Sequence, residues 1–489
     1  MNMKDIITAQ RAEPWREELR RKMKNKDRTA IPRVEMNELD AEYRSRCNEE
    51  VNLGLTAEQA ICEAQRCIDC PTPSCMEGCP VNINIPSFIK NIERESFAEA
   101  ARVLKEANAL PAVCGRVCPQ EKQCEEKCIH IKMNKEPVAI GYLERFAADY
   151  ERESGTMFIP EIADNNGIKI AVVGSGPAGL SFAGDMVKMG YDVTVFEALH
   201  EIGGVLKYGI PEFRLPNYII DVEIDVLRKM GVKFIIDCII GKTISYEDLL
   251  QDGYKGIFVA SGAGLPNFMN IPGENLIGVM SSNEYLTRVN LMFAADKDSD
   301  TPVLMGKNVA VIGGGNTAMD SVRTALRLGA DRAMIIYRRS EEEMPARIEE
   351  VKHAKEEGVE ILTLHNPVEY FGDADGHVTK MRVQRMELGE PDASGRRRPV
   401  PIEGAIDEMD VDMVVVSVGV SPNPLIPKEF KGLEISKWGT IIVNEDTMRS
   451  SLGNVYAGGD IVRGGATVIL AMGDGRKAAA AMNEQLKME

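Results

Sequence analysis

Between Ile168 and the C-terminus, the unit of strand, glycine turn and helix occurs twice. The first copy runs from IKIAVV through Gly174-Ser175-Gly176-Pro177-Ala178-Gly179 into GLSFAGDMVKMG. The second runs from NVAVI through Gly313-Gly314-Gly315-Asn316-Thr317-Ala318 into MDSVRTALRLG. In such a unit the glycines permit a tight turn and let backbone N–H groups approach a pyrophosphate, while the following helix presents its N-terminus to the anion. Short β-branched runs (DVTVFE, GIFVASGAG, RAMIIYRR, DMVVVSVG) alternate with amphipathic stretches around both copies, the pattern of parallel βαβ units. The expected fold class is therefore α/β, with two dinucleotide-binding folds.

The copies differ one strand after the glycines. The first unit ends in Glu197, placed to accept hydrogen bonds from a ribose, and Gly203 and Gly204 form a second close-approach pair. The second unit ends in Tyr337-Arg338-Arg339-Ser340. An acidic residue there would repel a 2′-phosphate, whereas arginines pair with one, so the second site reads as NADP(H)-binding through Gly313, Gly315, Asn316, Thr317, Arg338 and Arg339. The competing reading is a solvated arginine pair. For the first site, Gly459-Asp460 after a short strand suits the ribityl or phosphate-proximal hydroxyls of a flavin, and Thr467-Val468 opens a helix directed at its ring. The segments 260–264 and 417–419 read as the two crossings between an outer domain and an inserted one.

Ten of the eleven cysteines lie between Cys47 and Cys128. No apolar run approaches a membrane span, and the charged N-terminus lacks the apolar core of a secretory signal, so the cytoplasm is the expected location and metal ligation is favoured over disulfides. A net charge of −17 argues against nucleic acid as a partner. The runs are Cys67-x2-Cys70-x4-Cys75-x3-Cys79-Pro80 and Cys114-x3-Cys118-Pro119-x4-Cys124-x3-Cys128. Such spacings let several thiolates converge on a [4Fe–4S] cluster, and a terminal Cys-Pro serves a neighbouring cluster in two-cluster proteins. Structural zinc, making the segment a docking module, is the alternative. Cys47, Cys62 and Cys238 read as core thiols. Helical periodicity is expected over Phe88–Ala107, and a polar linker follows at 151–167.

The segments CIDCPTPSCMEGCPVNINIP, PAVCGRVCPQEKQCEEKC and AIGYLERFAAD resemble the small chain of NADPH-dependent glutamate synthase and its relatives. Those relatives are the large subunit of the bifurcating NADH-dependent ferredoxin:NADP oxidoreductase and the N-terminal half of dihydropyrimidine dehydrogenase. The resemblance covers about residues 35–489. It implies a helical domain at 1–155 with two [4Fe–4S] clusters, an FAD domain at 168–284 and 411–489, and an inserted NADPH domain at 285–410. It assigns Cys67, Cys70, Cys75 and Cys128 to one cluster. To the other it assigns Cys79, Cys118, Cys124 and a non-cysteine donor at the position of Glu144, with Cys114 as the competing ligand. For FAD it points to the first loop, including Gly174, Gly176, Pro177, Ala178 and Gly179.

On this reading NADPH reduces FAD, the clusters carry the electrons out singly, and no side-chain acid or base is required. Nothing in the sequence reads as a glutaminase or an FMN barrel. The expected partner is therefore a large glutamate synthase chain. The alternative is a small flavin and [2Fe–2S] subunit, with bifurcation toward ferredoxin.

Overall fold

The computed structural model describes residues 3–155, 157–393 and 395–488, with side chains from Asp5 onward. Up to Glu153 the described secondary structure is helical apart from two short paired strands. Amphipathic faces close this domain: Ile85–Glu93 and Phe97–Ala107 pack on each other, and Ile140–Glu153 packs on Pro111–Val117. The single helical stretch expected over Phe88–Ala107 is in fact two helices. The chain turns at Glu95, whose φ of 63° ends the first helix, and an isolated apolar period cannot reveal such a left-handed stop.

Two parallel five-stranded sheets follow. The first has the order Val455–Ala457, Tyr254–Val259, Lys169–Val173, Asp192–Phe196, Lys233–Ile235. The second has the order Glu360–Thr363, Arg332–Tyr337, Asn308–Ile312, Met413–Val416, Val279–Ser281. This second sheet extends beyond the expected 285–410 on both sides, because its strands at 279–281 and 413–416 complete it. The short antiparallel pair Leu265–Pro266 with Val420–Ser421 carries the chain into the inserted domain and back, next to the two expected crossings.

An antiparallel sheet of His365–Gly372, Val378–Pro391 and Arg397–Asp410 extends from the inserted domain. Among the described residues no helix is long and apolar enough to cross a membrane. Cys238 is buried as expected, but Cys47 and Cys62 are only half-buried, so they are not core residues. Cys47 instead presents its carbonyl oxygen to Arg327 Nε at 2.8 Å.

Candidate functional site

The first glycine loop leaves the strand Lys169–Val173 and enters the helix Pro177–Lys188, with Gly176 as N-cap and Pro177 in the first turn. Gly174 has φ +104°, and a Cβ there would sit 2.5 Å from the carbonyl oxygen of Ala260. Gly204, at φ +56°, passes so close that its Cβ would lie 3.0 Å from the Cα of Gly176. A Cβ on Gly176, by contrast, would meet no protein atom within 4 Å. That open side faces a cleft of about 680 Å³ lined by Gly174, Gly176, Pro177, Ala178, Glu197, Gly204, Gly459, Asp460, Thr467 and Val468. The backbone fits a pyrophosphate and the cleft fits a flavin nucleotide.

Glu197 is buried at the end of its strand. Its Oε2 accepts from Ser175 N at 2.9 Å and Ser175 Oγ at 2.5 Å, and its Oε1 accepts from Leu199 N at 2.9 Å. The carboxylate therefore braces the glycine loop while lining the cleft. Ser175 Oγ in turn accepts from Gly203 N at 3.0 Å, which ties the second glycine pair to the first loop. Burial raises the Asp460 carboxyl above its ordinary range.

Two residues that sequence reasoning passed over support this cleft. Asp474 accepts from Gly459 N at 3.0 Å and pairs with Arg463, holding the Gly458–Asp460 turn. Arg214 lines the cleft and pairs with Asp320 at 2.7 Å and Glu350 at 3.2 Å, both from the inserted domain. Neither lies in a recognisable motif, so only the folded chain reveals them.

The end of the second loop reaches the same cleft through Asn316 and Thr317, with Asp320 one turn on, whereas Gly313 and Gly315 are not among the residues lining it. Gly313 has φ +142°, and its Cβ would lie 2.3 Å from the carbonyl oxygen of Ser417. Gly315 caps the helix Asn316–Arg327. Of the two arginines expected to act together, only Arg338 is exposed. Arg339 is buried against Asp392, so the structure does not bring them together as an open pair.

The cysteines form two groups. Burial raises the thiols of Cys70 and Cys75, and the neighbouring Cys67 and Cys128 raise them further; Cys70 is pushed up to about 12. In the second group burial lifts Cys79 to about 12, with Glu144 and Cys114 adding to it. A hydrogen bond with Cys114 is the first cause of the raised Cys118 thiol, and Glu144 and Cys124 also contribute. Burial, then Glu125, Cys79 and Glu144, raise Cys124. By these mutual effects Cys67, Cys70, Cys75 and Cys128 neighbour one another, and Cys79, Cys118 and Cys124 neighbour Glu144 and Cys114, with Cys75 also acting on Cys124.

Clustered thiols that repel one another as thiolates fit a bound cation. Glu144 is buried, which raises its carboxyl to about 8. Asn108 Nδ2 donates to its Oε1 at 2.8 Å, and no hydrogen bond among the described residues reaches Oε2. A buried carboxyl beside clustered thiols fits a metal-ligand role.

The cysteine domain grips both nucleotide domains. Arg347 donates to the carbonyl oxygen of Arg116 at 2.6 Å and to Gln120 Oε1 at 3.1 Å. Lys122 Nζ reaches the carbonyl oxygens of Pro345 at 3.2 Å and Ala346 at 3.1 Å. Toward the flavin side, Glu223 accepts from Ala112 N at 2.8 Å.

Residues 44–156 match the family described as dihydropyrimidine dehydrogenase domain II, 4Fe-4S cluster. Residues 168–475 match pyridine nucleotide-disulphide oxidoreductase. The small chain of NADPH glutamate synthase from Azospirillum brasilense is 34% identical over 444 residues, covering 90% of this chain and 91% of that protein. The chain belongs to the glutamate synthase small-chain family. With it, the chain is an NADPH-dependent iron–sulfur flavoprotein oxidoreductase.

The beta subunit of NADP(+)-dependent formate dehydrogenase from Moorella thermoacetica is 37% identical over 439 residues, covering 85% of this chain and 60% of that protein. Among solved structures, Mycobacterium tuberculosis FprA in complex with NADPH has a TM-score of 0.55 at 20% identity. It covers 66% of this chain and 85% of that one, a likeness of fold.

Proposed function

We propose that this chain is the NADPH-oxidising electron-transfer subunit of a cytoplasmic glutamate synthase, working with a larger chain that makes glutamate from glutamine and 2-oxoglutarate. The observation that carries the electron-transfer reading is the single cleft shared by both glycine loops, with the cysteine domain packed behind it. When bound, FAD supplies two-electron acceptance from the nicotinamide, and two [4Fe–4S] clusters supply one-electron transfer.

The first loop and Glu197, Asp460 and Thr467 hold the flavin nucleotide. Asn316, Thr317 and Arg338 orient NADPH across the cleft from it. Cys79, Cys118, Cys124 and Glu144 ligate the inner cluster, and Cys67, Cys70, Cys75 and Cys128 the outer one. Of the outer set, Cys67, Cys70 and Cys75 are half-buried, whereas all four inner ligands are buried. The outer cluster is therefore the exit toward a partner.

The test is anaerobic purification from the native host with mass-spectrometric identification of the companion chain, together with an assay of glutamate formation from NADPH, glutamine and 2-oxoglutarate. A companion bearing glutaminase and barrel domains, with glutamate produced, supports the proposal. A small flavoprotein with a [2Fe–2S] centre, or a formate-oxidising companion, overturns the glutamate assignment and leaves the electron-transfer chemistry standing.

A further inference from the structure

The two arginines after the second nucleotide strand are not equivalent. Arg338 is exposed, and no side chain among the described residues pairs with it. Arg339 is only 6% exposed and is engaged twice. Its Nη2 lies 2.6 Å from Asp392 Oδ2, and its Nε donates to the carbonyl oxygen of Arg397 at 2.8 Å. Asp392 lies in the turn of the long hairpin Val378–Pro391 and Arg397–Asp410, and Arg397 opens its second strand. That turn is closed by Asp392 N on the carbonyl oxygen of Arg396 at 2.7 Å and by Gly395 N on that of Asp392 at 2.9 Å. The root of the contact is fixed as well, since Leu364 N donates to the carbonyl oxygen of Arg339 at 3.1 Å.

A loop tip carried on two long strands has no reason to stay against a neighbouring domain loop unless something anchors it. The Arg339–Asp392 pair with the Arg397 carbonyl is that anchor, and it is shielded enough from water to persist. A phosphate dianion selects a cation whose charge is not already cancelled. Asp392 neutralises Arg339, while Arg338 retains its charge. The second strand then carries Arg398, exposed and with no side-chain partner among the described residues.

We propose that Arg339 is a positioning residue and not the phosphate contact. With Asp392 it pins the hairpin turn beside Arg338, so that the 2′-phosphate of NADPH is held by Arg338 with the turn as its second wall. This rests on reading the second glycine loop as the NADPH site. It also explains why two adjacent arginines are present where one charge would suffice.

The experiment is calorimetric binding of 2′,5′-ADP and of 5′-AMP to the holoenzyme and its variants, with KM for NADPH and NADH measured beside it. Arg338→Gln should weaken 2′,5′-ADP about 30-fold, the loss of one charge-assisted contact. Asp392→Asn and Arg339→Gln should each weaken it about 5-fold, and the double variant no further, because the two residues act as one unit. In Asp392→Asn, which leaves every nucleotide contact in place, 5′-AMP binding, kcat and the NADH KM should be unchanged, which also shows that the domain is folded.

A far larger loss in Arg339→Gln than in Asp392→Asn, or tighter binding in Asp392→Asn, would make Arg339 the phosphate contact and overturn the proposal. Unchanged binding in both would remove the hairpin from the site. Wild-type protein binding 2′,5′-ADP no better than 5′-AMP would instead overturn the reading of the loop itself, and the proposal with it.

Discussion

Cys114 Sγ lies 3.6 Å from Met472 Sδ, and both side chains are completely buried. Met472 sits on the helix Val468–Met488, whose first turn lines the cleft through Val468 and Ala471. The next residue, Gly473, lies so close to Pro80 that a Cβ would be 3.0 Å from the Pro80 carbonyl oxygen, and Pro80 follows Cys79. A single turn of one helix therefore joins the cleft wall to the inner cysteine group.

Replacing Met472 with Ala should leave a cavity in that joint and lower stability by about 2–5 kcal/mol, read as a fall in Tm. Reduction of the iron–sulfur chromophore by NADPH should slow, while reduction of an artificial acceptor that takes electrons at the flavin keeps its rate. Equal slowing of both would place the defect at the flavin and not at the joint.

Glu144 and Cys114 both stand at the inner group, and iron analysis separates them. Cys114→Ala should retain its full iron, because its thiol packs against Met472 and Asn108. Glu144→Ala should lose about four irons of eight, one cubane. The reverse pattern would transfer the ligand role to Cys114.

The inserted domain is clamped by buried charge. Arg214 pairs with Asp320 and Glu350, and Arg323 pairs with Glu350 and Glu357. Arg214→Met would leave Asp320 and Glu350 short of a cation, at a cost of about 3–5 kcal/mol. A second substitution, Asp320→Leu, should restore part of the lost Tm. No recovery would mean that Arg214 acts through its contact with the cleft and not through the clamp.

Burial raises the Glu223 carboxyl from 4.5 to about 7, with Lys105 and the Ala112 N–H opposing the rise. The folded chain therefore keeps this proton where the unfolded chain has lost it. Its contribution to stability is fully present below pH 4.5 and declines as pH rises toward 7. Glu223→Gln should flatten the fall in Tm across that interval, as seen in thermal melts at stepped pH. An unaltered pH profile would assign the slope to other groups.

Much of this was legible in the linear chain because it depends on local chemistry. The glycine at 174 must take a positive φ beneath Ala260, and the run IKIAVV before it has no option but a buried strand. The paired cysteine runs announce metal ligation by spacing alone. Less legible were features that depend on a second segment. Glu95 breaks a helix whose apolar period continues through it, and the short strands at 279–281 and 413–416 join the inserted sheet only by pairing with residues far away in sequence.

The sequence by itself determined the two dinucleotide folds, the cysteine-rich helical domain before them and the residues available for cofactors. Each of these is set by turn stereochemistry, hydrophobic period or ligand spacing within a few tens of residues. Only the tertiary structure decided how those residues are shared out. It set Glu144 and Cys114 beside the Cys79 and Cys118 thiols, Arg214 against Asp320 across a domain boundary, and Arg339 against Asp392. The physical reason is that a buried charge is governed by its nearest counter-charge, and that neighbour lies across the fold, not along the chain.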